Sequence, residues 1–326
     1  MRHQKRILGL MIGALAIMPM VASAQAESYP SRPITLIIPF PAGGTTDVVG
    51  RIVAERLTAE LGQTVVAENR GGAGGSIGSN AVAKAKPDGY TLGIATVSTH
   101  GINPAVYKKL PFDVKKDFTP ITNVAAVPNV VTVNPQVKAQ NMQEFVALAK
   151  AEPGALSYAS AGHGSVANMM GELFKMASKT DLLHVPYRGS GPALTDTLAG
   201  QVDVFFDNLP TSLPHIKAGK LRALAVAWPE RVAALPDVPT FAEVGLPEVN
   251  DASWFGLVAP ADLPADIVEK LNASMVKILK SPEVVERLAS LGAAPIGNTP
   301  AEFAKQISDR IDQSAVVAKQ AGISID

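Results

Sequence analysis

Apolar positions along the chain fall into two alternating kinds of run, and their order predicts the fold class. Residues 34–40 (ITLIIPF) are almost continuously apolar, as in a strand covered on both faces. Residues 47–61 follow with Val48, Val49, Ile52, Val53, Leu57 and Leu61 along one side of a helix, which Gly62 ends. Short apolar runs at 64–70, 90–96, 129–134, 182–187, 202–207 and 221–228 predict further strands. Helical periodicity at 76–86, 142–151, 166–179 and 192–200 fills the gaps between them. This alternation predicts an α/β protein with parallel-rich sheets flanked by helices on both sides. The last part of the chain carries only helical patterns, at 264–279, 282–291 and 300–321, each opened by a proline.

The first residues have a different pattern. Arg2, Lys5 and Arg6 precede an apolar stretch, and Ala22-Ser23-Ala24 then supplies a small-residue cleavage motif. Residues 1–24 are expected to be a signal peptide cut after Ala24, or after Ala26 within Ala24-Gln25-Ala26, which places the mature protein in the periplasm. Every later apolar run is interrupted by Gly, Pro or charge well before the about 18 residues of a membrane span. There is no cysteine, which excludes a thiol nucleophile, a lipid-modified cysteine and cysteine-based zinc sites. Basic and acidic residues balance at 29 each, and the leader removes three basic ones, so no nucleic-acid footprint is present.

Candidate lobe boundaries lie at 124–129 and 245–250, where proline or glycine separates periodic segments. By analogy with folds whose chain leaves one lobe and returns to it, they would divide the mature chain into lobe 1 (25–125 plus 248–326) and lobe 2 (126–247), with two hinge crossings.

Three loops carry the candidate chemistry, each between a strand and a helix start: 39–47 (PFPAGGTTD), 70–78 (RGGAGGSIG) and 160–165 (SAGHGS). Glycines let a ligand approach the backbone, and a helix start offers unpaired N–H groups with a partial positive charge. Seryl and threonyl hydroxyls add neutral donors. The set suits a carboxylate without requiring a buried cation.

Gly74-Gly75-Ser76-Ile77-Gly78 also matches the G-x-S-x-G nucleophile elbow, so an exported serine hydrolase using Ser76 is the competing reading. Its downstream acid and histidine would be Asp181 with His184 or Asp203 with His215. The glycine spacing at 72–78 is one residue too long for a dinucleotide fingerprint, and Thr96-Val97-Ser98 offers no ribose-binding carboxylate. The histidines are isolated, without metal-ligand spacing. No cofactor and no metal are expected, and the protein is read as a binding protein instead of an enzyme.

Tyr29-Pro30-Ser31-Arg32-Pro33-Ile34 leading into the first loop resembles the start of the Bug (TctC-like) extracytoplasmic solute receptors of tripartite tricarboxylate transporters. Lys86-Pro87-Asp88-Gly89-Tyr90, Pro186-Tyr187-Arg188-Gly189, Gly200-Gln201-Val202-Asp203 and Leu235-Pro236-Asp237-Val238-Pro239-Thr240 fit the same pattern, in order along the mature chain. The resemblance implies a two-lobed periplasmic-binding-protein fold, type II-like, that closes on a small organic carboxylate. A dicarboxylate or an acidic amino acid such as aspartate or glutamate suits the polar loops. It also implies delivery, in some systems, to a tripartite transporter membrane component; presentation to a sensor kinase is a rival reading, and a monomer is expected.

Carried onto this sequence, the lobe 1 contacts are Ala42, Gly43 and Thr46, with Asp47 fixing the loop, and Thr96 and Ser98. Those of lobe 2 are Ser160, Gly162, His163, Ser165, Tyr187, Arg188, Asp207 and Asn208. Trp254 is a candidate wall.

Overall fold

The computed structural model describes residues 29–325. The leader and both of its cleavage motifs lie outside the described residues. In chain order the elements are β1 (Ile34–Ile38), α1 (Thr45–Leu61), β2 (Val65–Asn69), α2 (Ser76–Ala83), β3 (Thr91–Thr96), α3 (Asn103–Val106), β4 (Phe118–Val127), β5 (Asn129–Val133) and α4 (Met142–Ala151). There follow β6 (Ser157–Ser160), α5 (Val166–Ser178), β7 (Leu183–Pro186), α6 (Ser190–Leu198), β8 (Val204–Asn208), α7 (Leu209–Lys217) and β9 (Arg222–Ala227). The chain closes with β10 (Ser253–Pro260), α8 (Ala265–Leu279), α9 (Pro282–Ser290), β11 (Ala294–Pro295) and α10 (Pro300–Ala321).

The strands form two sheets, ordered β11-β4-β10-β3-β1-β2 and β7-β6-β8-β5-β9. Both are mixed. β1 pairs in parallel with β2 and β3, and β6 with β7 and β8, as the alternating pattern requires. The remaining strand pairs are antiparallel. Each sheet anchors one lobe. The chain passes from the first to the second between Val127 and Asn129, and returns between Ala227 and Ser253.

β1 illustrates why the pattern folds this way. Ile34, Leu36 and Ile38 pack with Val49, Val53 and Leu57 of α1 and Leu271 and Met275 of α8. Ile37 points to the opposite face, into the cluster that holds Val82 of α2 and Phe303 of α10. A strand covered on both faces has little room for polar positions, so the sequence of β1 is apolar except for the partly exposed Thr35.

β4 and β10 went unassigned by periodicity, although they are central to the first sheet. Pro120 and Asn123 interrupt one, Gly256 the other, and their register shifts beside Gly256 and between Leu257 and Val258. Gly256 has a packing reason: a Cβ there would lie 2.1 Å from Cζ of Phe303. α7 carries Pro210 and Pro214, which hide its helical character.

A polar knot joins both crossings to the end of β8. Nδ2 of Asn208 donates to Oδ1 of Asn129 (2.5 Å) and to Oγ of Ser253 (2.9 Å). Ser253 Oγ donates to the same Asn129 oxygen at 2.7 Å, and Asn129 Nδ2 donates to the Asp251 carbonyl at 2.7 Å.

Candidate functional site

The carboxyl ends of the parallel strands of both sheets face each other across the interlobe cleft, where helices begin. α1 starts after Gly44, α5 after Ser165, α6 at Ser190 and α7 after Asn208. All four of these residues line one enclosed cavity of about 30 Å³ between the lobes. Four helices of nine residues or more thus aim their N-terminal ends into one small space. The peptide dipoles there favour negative charge, while several first-turn amides are already used: Leu209 and Thr211 donate to the Pro128 carbonyl and Thr45 Oγ1, Pro210 has no N–H, and Val166 donates to Ser98 Oγ.

The apolar walls are Phe40, Val97, Ala161, Val166, Ala167, Trp254 and Phe255, and Thr46, Thr96, Ser98, Ser253 and Asp207 also line the cavity. No Lys, Arg or His is among the lining residues. Many of the hydroxyls are already engaged. Ser165 Oγ donates to the Gly162 carbonyl at 2.6 Å and caps α5 by accepting from the Asn168 amide. Thr96 and Thr99 bond reciprocally. Ser98 Oγ accepts from the Val166 amide of the opposite lobe at 3.0 Å, which leaves its own proton unused.

The lobes also touch outside the cavity. Thr45 and Thr211 share a 2.7 Å hydroxyl contact, and Tyr107 donates to the His163 carbonyl at 3.2 Å. Backbone meets backbone at the rim, where a Cβ on Gly191 would lie 2.8 Å from the Ala42 carbonyl oxygen.

Of the expected residues, Thr46, Thr96, Ser98, Ser165, Asp207 and Asn208 come together around the cavity, and Trp254 is one of its walls. In the first loop Gly44 supplies the lining surface, while Gly43 adopts φ +90° behind it, a conformation that favours glycine. Ala42 meets Gly191 across the rim. Asp47 turns inward: its Oδ2 accepts from the Gly43 amide (3.2 Å) and its Oδ1 from Asn69 Nδ2 (2.9 Å), with Arg51 Nε at 3.0 Å. Burial opposes ionisation there, but hydrogen bonds from Arg51, Asn69 and Gly43 hold its carboxyl below the usual range.

Other expected residues face elsewhere. Ser160 Oγ bonds His184 Nε2 at 2.7 Å and accepts from the Gly162 amide, behind the loop. Gly162 shapes that loop at φ +116°, and Ala161 is the residue that reaches the cavity. His163 is exposed and its ring stands edge-on to His184. Burial, with His163 next, lowers the His184 imidazole to about 4. Tyr187 donates to Asp196 at 2.8 Å, and Arg188 is exposed. Ser76 Oγ donates to the Ala73 carbonyl at 2.8 Å, and His184 bonds Ser160 instead of Ser76.

Ser190 and Ser212 were missing from the sequence reading. They donate to Oδ1 and Oδ2 of Asp207, each at 2.9 Å. Ser190 follows the Pro-Tyr-Arg-Gly run directly, which was the one available signal. Asp207 is 1% exposed, and burial raises its carboxyl to about 7 against the pull of the two serines.

Two mixed α/β lobes, two crossings and a site at strand ends between them define a bilobal solute-binding protein. The chain belongs to the tripartite tricarboxylate transporter receptor family, whose model matches residues 49–323. It is 38% identical over 320 residues to protein BugT of Bordetella pertussis (strain Tohama I), covering 98% of this chain and 97% of that one. A solved structure described as a periplasmic transporter is 52% identical, covers 92% of this chain and 100% of its own, and superposes with a TM-score of 0.90. A R. palustris protein solved with adipate is 38% identical, with 91% and 99% covered and a TM-score of 0.88. Among the described residues no helix is long and apolar enough to cross a membrane.

Proposed function

We propose that this receptor captures a small organic carboxylate, a dicarboxylate or an acidic amino acid, by closing lobe 1 (25–125 plus 248–326) onto lobe 2 (126–247). The observation that carries this reading is the convergence of four helix starts on a cavity lined by seryl and threonyl residues, one buried carboxyl (Asp207) and no cation. Such a site stabilises one carboxylate through peptide dipoles, N–H groups and the free hydroxyl proton of Ser98. Thr46 and Ser98 are read as direct contacts, Ser165 and Asp47 as residues that hold their loops, and Asn208 as part of the hinge knot.

The cavity is small, about 30 Å³, and the lobes touch around it at Thr45–Thr211 and at the Ala42–Gly191 rim. Entry therefore requires the lobes to part around the crossings at 127–129 and 227–253. The adipate bound by the R. palustris relative supports the same class of solute here. In this reading the chain is exported, its leader is cut after Ala24 or Ala26, and the loaded monomer is presented in the periplasm to a transporter membrane component or a sensor kinase.

A thermal-shift screen of mature protein, refolded to strip carried-over solute, tests the ligand class. At about 100 times its Kd a cognate acid adds about 2.7 kcal/mol of stability. A melting temperature unmoved by acetate, succinate, L-malate, adipate, L-aspartate and L-glutamate contradicts the proposal.

A further inference from the structure

Asp207 is the single ionisable side chain among the residues lining the interlobe cavity. Its two oxygens accept from Ser190 of α6 and Ser212 of α7, both neutral. The elements packed around it bring no charged side chain, only the Asn208 amide and the dipoles of α6 and α7 at their starts. β5 pairs Val130 opposite Asp207, and β10 presents Ser253, Trp254 and Phe255 to the cavity. From the other lobe α1 contributes Thr45 and Thr46, and its nearest charged group, Asp47, is itself acidic and engaged with Arg51. Arg188, ahead of α6, is exposed, and His215 and Lys217 belong to the last turn of α7.

An organic anion drawn in by the helix starts meets a second carboxylate in the same water-poor space. Like charges at contact distance in such surroundings cannot both persist without a large loss of affinity. We infer that the cleft takes up its anion together with one proton, and that Asp207 carries it. The inference rests on the reading of the cleft as an anion site.

The step is a simple protonation: a proton from solvent adds to one Asp207 oxygen as the lobes close, and returns to solvent when they open. Once protonated, Asp207 becomes a donor, and the Ser190 or Ser212 hydroxyl can turn to accept from it. Burial has already raised the carboxyl of the closed form to about 7, so the proton is available near neutrality. Asp207 then acts as a specificity residue. It admits a fully anionic solute only with a charge-neutralising proton, and its cost rises with pH.

Isothermal titration calorimetry in Tris and in HEPES, whose ionisation enthalpies differ, counts protons taken up per bound acid. The probes are succinate, L-malate, adipate and L-aspartate. The expected result at about pH 8.5 is close to one proton per ligand, and an affinity lower by about tenfold or more than at about pH 6.5. Asp207→Asn is expected to bind with neither proton uptake nor that pH dependence. Unchanged wild-type affinity over this range with no proton taken up overturns the inference and leaves the anion site standing. L-aspartate bound without a proton also overturns it, because its ammonium then pairs with an ionised Asp207. If none of the four binds at about pH 6.5, the anion site fails and the inference with it. The wild-type proton count decides the matter even if the variant folds poorly.

Discussion

Asp47 and Asp207 carry the same functional group in opposite surroundings. Asp47 collects an amide, an asparagine and a guanidinium, which favour its charged form, whereas Asp207 is so deeply buried that the Ser190, Ser212 and Thr211 hydroxyls and the Asn208 amide do not offset the loss of water. The consequences for stability have opposite signs. The stability linked to Asp207 is complete below its unfolded value of about 3.9 and is lost as pH rises through its folded value of about 7. The stability linked to Asp47 is present above its unfolded value and is lost as pH falls through its lower folded one. Accordingly, the melting temperature of ligand-free Asp207→Asn relative to wild type is expected to climb between about pH 4 and pH 7 and then level off. A flat difference across that range would show that Asp207 has an ordinary carboxyl. Ser98→Ala tests the adjoining donor. It removes one hydrogen bond to ligand and the acceptor for the Val166 amide, and is expected to weaken binding about tenfold, from about 1–1.5 kcal/mol. A Kd within twofold of wild type, read from tryptophan fluorescence, would remove Ser98 from the site.

Residue types at strand ends were legible in the sequence where a glycine-rich loop announced them, as at Thr46 and Ser165. Side-chain direction was not. His163 and Ser160 lie in the same loop as Ser165, but one ring turns to solvent and the other hydroxyl to His184. Ser190 and Ser212 enter the site only because α6 and α7 begin beside Asp207, a juxtaposition set by sheet order and invisible to periodicity.

At the scale of elements, hydrophobic pattern located β1 and α1 within two residues because each buries a regular face. It missed β4 and β10 because Pro120, Asn123 and Gly256 break the alternation where the strands shift register. Gly256→Ala is expected to cost about 1–3 kcal/mol by forcing Phe303 and α10 off the strand, measurable as a lower urea midpoint. An unchanged midpoint would mean that this packing is loose. The closing rim invites a second test. A side chain on Gly191 meets the backbone of Ala42 in the opposite lobe, so Gly191→Val is expected to weaken ligand binding at least about tenfold. The two lobes do not depend on that contact for their own cores, so the variant's unliganded melting temperature should stay close to that of wild type. Full-strength binding by the variant would rule out closure in the geometry seen here.

For the molecule as a whole, breaks in periodicity near 124–129 and 245–250 could be seen in the sequence, but only analogy made them crossings between lobes. The knot of Asn129, Asn208 and Ser253 that ties them together was not, since its members are far apart in sequence and are ordinary polar residues. Helix starts from both sheets line one cavity, and its content decides the function. A crystal structure with a bound acid from the screen tests this most directly. One carboxylate is expected at the starts of α1 and α5, within hydrogen-bond reach of Thr46 and Ser98, with Trp254 alongside. An acid bound outside the cleft on Arg188 or His163, or a cleft that stays empty in crystals grown at saturating acid, would contradict it.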